Sequence, residues 1–189
     1  KYKVGLNNYK SVETINLIDD LNSISVTNLI NKSIENIPTL IKNNNNVIPV
    51  KLDTESILNV QFGNADGTLF NDYLNKYRSI RSIKASDINT NNLNSLLANH
   101  KLLIVSFHMK SDTPWENMNK KFSLKEQDIL KTIDEHNNKI LASFTNPYAL
   151  SQINLKSYNS VVVGFQNNQE FQKIIAQQIF GAKEIKGTL

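Results

Sequence analysis

One nearly continuous apolar run, Leu102–Phe107, constrains the fold of this chain more than any other feature. A strand or helix with one solvated face mixes polar and apolar residues periodically, so a run without that mixture indicates a strand covered on both faces. Such strands are typical of parallel sheets, because the helices that connect parallel strands pack on each side of them. The run therefore predicts an α/β protein.

Strand and helix patterns alternate on both sides of this run. Further strands are predicted at Ile57–Phe62, Ile80–Ile83, Ile140–Phe144 and Ser160–Phe165. Helices are predicted around Leu69–Tyr77, Leu93–His100, from the capping box Ser123–Glu126 onward, and at Gln169–Phe180 with Gly181 as C-terminal cap. This order predicts right-handed crossovers and a mainly parallel sheet in a three-layer α/β/α sandwich of the flavodoxin-like kind.

The N-terminal part of the chain has a different character. Residues 1–22 show little periodicity, which is typical of a linker or of the tail of a preceding element. A helix is predicted from Val26 to Ile37, with Ser25 as N-cap and Pro38 ending it. Two short apolar runs then predict a small hairpin, Thr39–Ile41 with Val47–Val50.

Composition excludes several classes of protein. The 189 residues are 40% hydrophobic, enough for one well-cored domain, and no apolar run is long enough to span a bilayer. The formal net charge is +4, but the lysines are scattered singly apart from the pair Lys120 and Lys121, which has no aromatic stacking platform beside it, so we expect no nucleic-acid partner. Because the chain has no cysteine, it has neither a disulfide scaffold nor a thiolate site. No cofactor is predicted.

In a parallel sheet, ligands meet the loops beyond the carboxyl ends of the strands. The first such loop is Gly63–Gly67, with Asn64 and Asp66 as candidates. Its glycines superficially resemble a nucleotide loop, but it lacks the G-x-G-x-x-G spacing and a P-loop lysine. A tight strand-to-helix turn with Asp66 near the helix N-terminus is the favoured interpretation.

The second and third loops carry the other candidate binding residues. The segment His108–Lys121 contains His108, Ser111 and Trp115, and a loop of this length is often functional. Trp115 either contacts a ligand or domain partner or packs on its own domain, and His108 is either functional or hydrogen-bonded structure. The third loop supplies Asn146 and Tyr148, where Asn-Pro indicates a turn and Tyr148 either binds or plugs the helix that follows.

No constellation able to carry out catalysis is found in the sequence. The three histidines, at positions 100, 108 and 136, are far apart and predict no metal site. Neither Ser106 nor Asp112 forms a recognisable triad with His108. Asp112 and Glu116 are four residues apart in one loop, which is weak support for a glycosidase carboxylate pair.

Four separated patches, in order along the chain, resemble family 3 glycoside hydrolases. They are Lys1–Leu6, Leu40–Asn43 with Val47–Val50, Asn146–Tyr148, and Phe180–Ala182 with Lys186–Leu189. These are similar, respectively, to the end of the family's catalytic barrel, the "LLKN…LLP" element that opens its second domain, the "GNPY" turn of the bacterial N-acetylglucosaminidases, and the closing "FG…GKLP". Thr145 replaces the usual glycine of the third patch.

The resemblance implies that residues 1–22 are the linker or tail of a barrel and residues 23–189 the C-terminal α/β domain. The nucleophile and acid/base residues would lie in the N-terminal TIM barrel of the same polypeptide, so no catalytic residue is expected in this chain, and Glu116 receives no such role. The implied reaction is retaining hydrolysis of terminal β-linked N-acetylglucosamine, a carbohydrate substrate, in the periplasm or cell envelope. An independent flavodoxin-like module that binds a ligand or protein is the alternative.

Overall fold

The computed structural model describes residues 2–8, 10–11, 13–110 and 122–188. Two compact units divide the chain, Lys1–Ser33 and Ile34–Leu189. The first unit contains a short 3₁₀ helix, Tyr2–Val4, the helix α1 (Leu17–Leu21) and most of α2 (Ile24–Asn36). Helix α2 ends before Pro38, as predicted.

The second unit is built on a seven-stranded sheet. The strands are β1 (Thr39–Asn43), β2 (Ile57–Gly63), β3 (Arg81–Lys84), β4 (Leu102–His108), β5 (Lys139–Phe144), β6 (Ser160–Val163) and β7 (Gly187–Thr188). They follow the order β3-β2-β4-β5-β6-β1-β7. Each neighbouring pair from β3 to β6 in this order is parallel. The predicted parallel α/β sheet is confirmed.

Helices cover both faces of the sheet. They are α3 (Thr68–Asn75), α4 (Leu93–Ala98), α5 (Leu124–Asp134) and α6 (Gln169–Ile179). One core cluster joins α4 and α5 to the sheet, and a second joins α3 and α6 to its opposite face. Every residue of β4 is buried, which agrees with the uninterrupted apolar pattern of that segment. The three-layer sandwich predicted from the sequence is therefore confirmed.

The ends of three helices are set by local hydrogen bonds. Ser123 and Glu126 form the predicted capping box at the start of α5. Gly181, at φ +74, follows α6 and supplies the left-handed residue that ends it. The expectation of Ser25 as N-cap is wrong, because α2 already begins at Ile24 and the backbone N–H of Val26 lies 3.5 Å from the Ser23 hydroxyl.

The predicted hairpin of Thr39–Ile41 with Val47–Val50 is also wrong. Thr39–Asn43 forms β1, which pairs antiparallel with β6, and Val47–Val50 is not a strand. The side chain of Asn43 explains the turn between them, because its amide donates to the Ile48 carbonyl at 2.7 Å and its oxygen accepts from the Ile48 N–H at 3.0 Å. The Asn43 side chain thus makes the two hydrogen bonds to the Ile48 backbone that the backbone of a partner strand would make in a hairpin.

Candidate functional site

The chain reverses its direction of strand addition at β2. Strand β3 pairs on one side of β2 and β4 on the other, so the connections leaving β2 and β4 diverge at their carboxyl ends. In open parallel sheets such a switch point is where ligands bind. The loops that hold Asn64, Asp66 and His108 meet here, which brings together three of the residues singled out in the sequence.

Asp66 lies just before helix α3 and is hydrogen-bonded to Thr68, the first residue of that helix. Its carboxylate accepts hydrogen bonds from the Thr68 N–H at 3.2 Å and the Thr68 hydroxyl at 2.7 Å. These hydrogen bonds to the charged form lower the pKa of the exposed carboxyl group. The strand-to-helix turn predicted for this loop is confirmed.

Gly63 permits a close approach between the two loops. Its φ is +108, and a Cβ added there would lie 2.0 Å from the carbonyl oxygen of His108. That carbonyl oxygen also accepts from the Ala65 N–H at 3.0 Å. The glycine is required both by its backbone conformation and by the absence of space for a side chain.

His108 lies under this loop, at the end of β4, and is 1% exposed. Its ring stacks on Phe144, with centroids 4.6 Å apart and planes 12° apart, and lies 5.7 Å from the ring of Phe70. The Nε2 edge of the ring faces Gly67, and a Cβ added to this glycine would lie 2.6 Å from Nε2. The ring is enclosed by aromatic side chains and backbone rather than by solvent.

The hydrogen bonds of Asn167 define the protonation of His108. Asn167 Nδ2 donates to the Asp66 carbonyl at 3.0 Å, so its Oδ1 is the atom that faces His108 Nδ1, at 2.8 Å. Nδ1 must therefore carry the proton, and the buried Nε2 has no partner among the described residues. Burial lowers the pKa of His108 to about 4, so the ring is neutral at pH 7. The structural interpretation of His108 is the one this geometry supports.

Gln172 on α6 completes the arrangement. It is 4% exposed, and its Nε2 donates to the Asp66 carbonyl at 2.9 Å and to Asn167 Oδ1 at 3.2 Å. Its Oε1 accepts from the Phe70 N–H at 2.9 Å. Sequence reasoning missed both amide residues; the available signal was a glutamine on the mainly apolar, inward face of α6, which also buries Gln178.

An open cavity of about 400 Å³ lies beside the β2–α3 loop. Asn64 and Asp66 line it together with Lys84 and Glu126. Asn64 is held in place because its Oδ1 accepts from the Lys110 N–H at 3.1 Å. The candidates Ser111 and Trp115, with Asp112 and Glu116, fall outside the described residues.

Asn146 and Tyr148 lie elsewhere on the carboxyl edge, after β5. The Asn146 side chain accepts from the Tyr148 N–H at 3.1 Å and caps a 3₁₀ helix, Pro147–Gln152. The predicted Asn-Pro turn is confirmed. Tyr148 is 68% exposed, so it does not plug the following helix.

The described residues hold no evident catalytic or metal constellation. No group of three or more histidine, aspartate or glutamate side chains in the ranges given above could hold a metal ion. The Ser106 hydroxyl donates to Asn59 rather than to a histidine. The rings of His100 and His136 are hydrogen-bonded to backbone carbonyls. No described helix is long and apolar enough to cross a membrane.

Comparison with known proteins finds similarity in structure. No family model and no curated protein matches the sequence. A β-glucoside phosphorylase, BglX, matches over 99% of this chain and 35% of its own, with 17% identity and a TM-score of 0.71.

Two N-acetylglucosaminidases of glycoside hydrolase family 3 also match. The enzyme from Paenibacillus sp. matches over 96% of this chain and 35% of its own, with 15% identity and a TM-score of 0.61. A fungal multi-domain enzyme matches over 89% of this chain and 19% of its own, with 16% identity and a TM-score of 0.63. At these identities the similarity shows a shared fold, and the chain spans about a third or less of each of these proteins.

Proposed function

We propose that this chain is the C-terminal, non-catalytic α/β domain of a glycoside hydrolase of family 3. The observation that carries the proposal is the extent of the structural match. Nearly the whole chain superposes on about one third of much longer glycoside-processing enzymes. A match of nearly the whole chain to only part of each larger protein is expected if the chain corresponds to one domain of such an enzyme.

The positions of the sequence patches support this proposal. Leu40–Asn43 lies in β1, Asn146–Tyr148 starts the 3₁₀ helix after β5, and Phe180–Ala182 follows α6. The first of these patches forms most of a strand, and the other two lie at the ends of elements, all within the second compact unit.

The arrangement of His108 supports a non-catalytic role for the switch point. A general acid or base has to reach the substrate, but this imidazole is enclosed, and its one hydrogen bond to a described residue is with Asn167. The Asp66 carboxylate is likewise engaged, since it accepts hydrogen bonds from the N–H and the hydroxyl of Thr68. On this proposal the residues that perform the chemistry lie in an N-terminal TIM barrel of the same polypeptide, which this domain braces.

We propose further that the whole enzyme hydrolyses terminal β-linked N-acetylglucosamine with retention of configuration, in the periplasm or cell envelope. Support for this finer assignment comes from the Asn146–Tyr148 patch and from the two N-acetylglucosaminidases among the structural matches. A β-glucoside specificity is the competing assignment, since other matches are a β-glucoside phosphorylase and a β-glucosidase from Listeria innocua.

An independent flavodoxin-like binding module is the second candidate function. The observation in its favour is the switch point between β2 and β4, with a 400 Å³ cavity beside the β2–α3 loop. It predicts saturable binding of a nucleotide or flavin by the 189-residue chain.

One experiment separates these functions. The 189-residue chain and the longest polypeptide encoded by its gene are assayed with chromogenic β-N-acetylglucosaminide and β-glucoside, each with and without inorganic phosphate. We expect turnover of the N-acetylglucosaminide by the longer polypeptide alone, independent of phosphate. Turnover by the 189-residue chain that is abolished by Asp112→Asn or Glu116→Gln would overturn the proposal.

A further inference from the structure

Another cavity, of about 230 Å³, lies at the edge of the sheet opposite the switch point. Lys101 and Asn138 line it, and these residues immediately precede β4 and β5, respectively. The cavity therefore opens at the amino ends of the parallel strands, away from the loops that hold Asp66 and His108. Its other wall is the segment 46–54, which lies between β1 and β2.

The wall formed by the segment 46–54 is anchored to the helices of the domain. The Val50 N–H donates to the carbonyl of Ile179, the last residue of α6, at 2.7 Å. The guanidinium of Arg78, shortly after α3, donates to the Leu52 carbonyl. Because α3 and α6 both pack on the sheet, these contacts fix the wall relative to the strands. The cavity is thus formed before any ligand binds, which lowers the cost of binding.

The lining of this cavity has an apolar floor and a polar mouth. Val50 and Leu102, each 4% exposed, contribute to the floor. The polar side chains of the lining are two ammonium groups, one hydroxyl and two amides, which belong to Lys51, Lys101, Thr54, Asn46 and Asn138. None of these five side chains has a hydrogen bond or an ion pair with another residue that the structure describes. Their hydrogen-bonding capacity is therefore available to a ligand.

The positive charge at the mouth is not neutralised by neighbouring acidic groups. No carboxylate belongs to the lining among the described residues. Asp53 and Glu55 lie in the same stretch of chain, but neither forms an ion pair with Lys51 or Lys101. The cavity beside the β2–α3 loop, by contrast, has two carboxylates in its lining. Two unpaired ammonium groups on one cavity attract an anion, and their charge matches that of a dianion.

We propose that this cavity binds a small phosphate dianion, either inorganic phosphate or the phosphate group of a monoester. The ammonium groups of Lys51 and Lys101 neutralise its charge, and the Thr54 hydroxyl and the Asn138 amide donate to its oxygens. The apolar floor receives the carbon skeleton of an ester. This site is independent of the proposed function, because it lies at the amino edge of the sheet and uses none of the residues at the switch point.

A titration followed in amide ¹⁵N–¹H correlation spectra of the 189-residue chain tests this site. At about pH 7.5 and low ionic strength, phosphate is largely a dianion and its attraction to lysine is weakly screened. The probes are inorganic phosphate, glucose 6-phosphate, glucose and acetate, which separate the phosphate group from the sugar body and from a single negative charge.

The variants change the charge of the cavity one lysine at a time. Lys51→Met and Lys101→Met each remove one charge and keep an apolar stem, whereas Lys101→Arg keeps the charge. Lys131→Met is the matched control, since Lys131 is 76% exposed, lies on α5 and is not part of this cavity. Lys51 and Lys101 are exposed, so their replacement should leave the fold intact, and thermal unfolding verifies this.

We expect inorganic phosphate and glucose 6-phosphate to shift the amide signals of Lys51, Thr54, Lys101 and Asn138 saturably, whereas glucose and acetate cause no saturable shift. Lys51→Met and Lys101→Met should each weaken phosphate binding roughly tenfold. Lys101→Arg and Lys131→Met should leave it within about twofold of the wild type.

The two phosphate probes distinguish the possible sources of the group. Tighter binding of glucose 6-phosphate would assign the site to an ester, and equal binding would assign it to the phosphate group alone; both results support the proposal. No saturation below about 20 mM phosphate, saturation by acetate at equal concentration, or shifts located at the β2–α3 loop would overturn it. Phosphate binding that survives both methionine substitutions unchanged would overturn it as well.

Discussion

At the scale of single residues, the site is governed by contacts between segments far apart in sequence. Gly67, His108 and Asn167 come from three separate segments: Gly67 lies against the His108 ring, and Asn167 is hydrogen-bonded to that ring and to the Asp66 carbonyl. Space and hydrogen bonding around one buried ring therefore determine the shape of the switch point. Two predictions follow from this ring.

Gly67→Ala should destabilise the protein by about 1–3 kcal/mol, because the new methyl group would lie 2.6 Å from His108 Nε2 in a filled core. Urea unfolding of a double-mutant cycle checks it. In a His108→Ala background the same change should cost little, since the ring that it meets is gone. An equal cost in both backgrounds would show that the glycine is needed for another reason.

Acidification should destabilise the protein through His108. The pKa of His108 is lowered from 6.5 to about 4 by burial, so below pH 6.5 the unfolded chain takes up a proton that the folded one does not. Stability is therefore retained above pH 6.5 and lost as the pH falls toward 4. Between pH 7 and pH 4.5 this group should remove on the order of 2–3 kcal/mol.

The check is urea unfolding at both pH values for the wild type and for His108→Gln, which cannot titrate. Asp66, the charged group that acts on His108, is present in both proteins, so its own titration cancels in the comparison. The variant should show a clearly smaller loss of stability on acidification. An identical pH dependence would contradict a buried, neutral His108.

At the scale of elements, the sequence predicted those strands and helices whose positions depend on local periodicity and capping residues. The strands of the parallel sheet are runs of apolar residues, and α5 begins at a capping box that four consecutive residues specify. The pairing of β1 with β6 was not predictable in this way, because its partner residues lie about 120 positions away. The amide network of Asn167 and Gln172 escaped prediction for the same reason, since it joins α6 to a turn roughly 100 residues earlier.

Ser123→Ala should destabilise the protein by about 1 kcal/mol. The Ser123 hydroxyl accepts from the Glu126 N–H at 3.2 Å, and Glu126 Oε2 accepts from the Ser123 N–H at 2.9 Å. Loss of a helix N-cap leaves first-turn amides without their partner. Thermal unfolding measures the change, with Thr132→Ala in the same helix as control. The control should be neutral or stabilising, because alanine favours the helix interior; equal losses would count against the cap.

At the scale of the whole molecule, both hydrophobic core clusters lie within residues 34–189. In the first unit, by contrast, neither α1 nor the part of α2 that ends at Ser33 has a buried side chain. The second unit thus has the elements needed to fold by itself.

A chain that begins at Ile34 should therefore unfold cooperatively, with a midpoint within about 4 °C of the full chain. Circular dichroism during heating measures the midpoint, and amide exchange identifies the protected strands. Loss of the cooperative transition, or loss of protection in β4 and β5, would show that residues 1–33 are required for the core.

The position of β1 has a consequence for synthesis on the ribosome. This strand ends at Asn43 and so leaves the exit tunnel well before its two neighbours, β6 and β7, the first of which begins only at Ser160. Until then the nascent chain carries an extended segment with unpaired backbone groups, the kind of edge that recruits other chains. Lys42, the fourth of the five residues of β1, places a charge on that unpaired edge, and charge of this kind discourages premature association of neighbouring nascent chains.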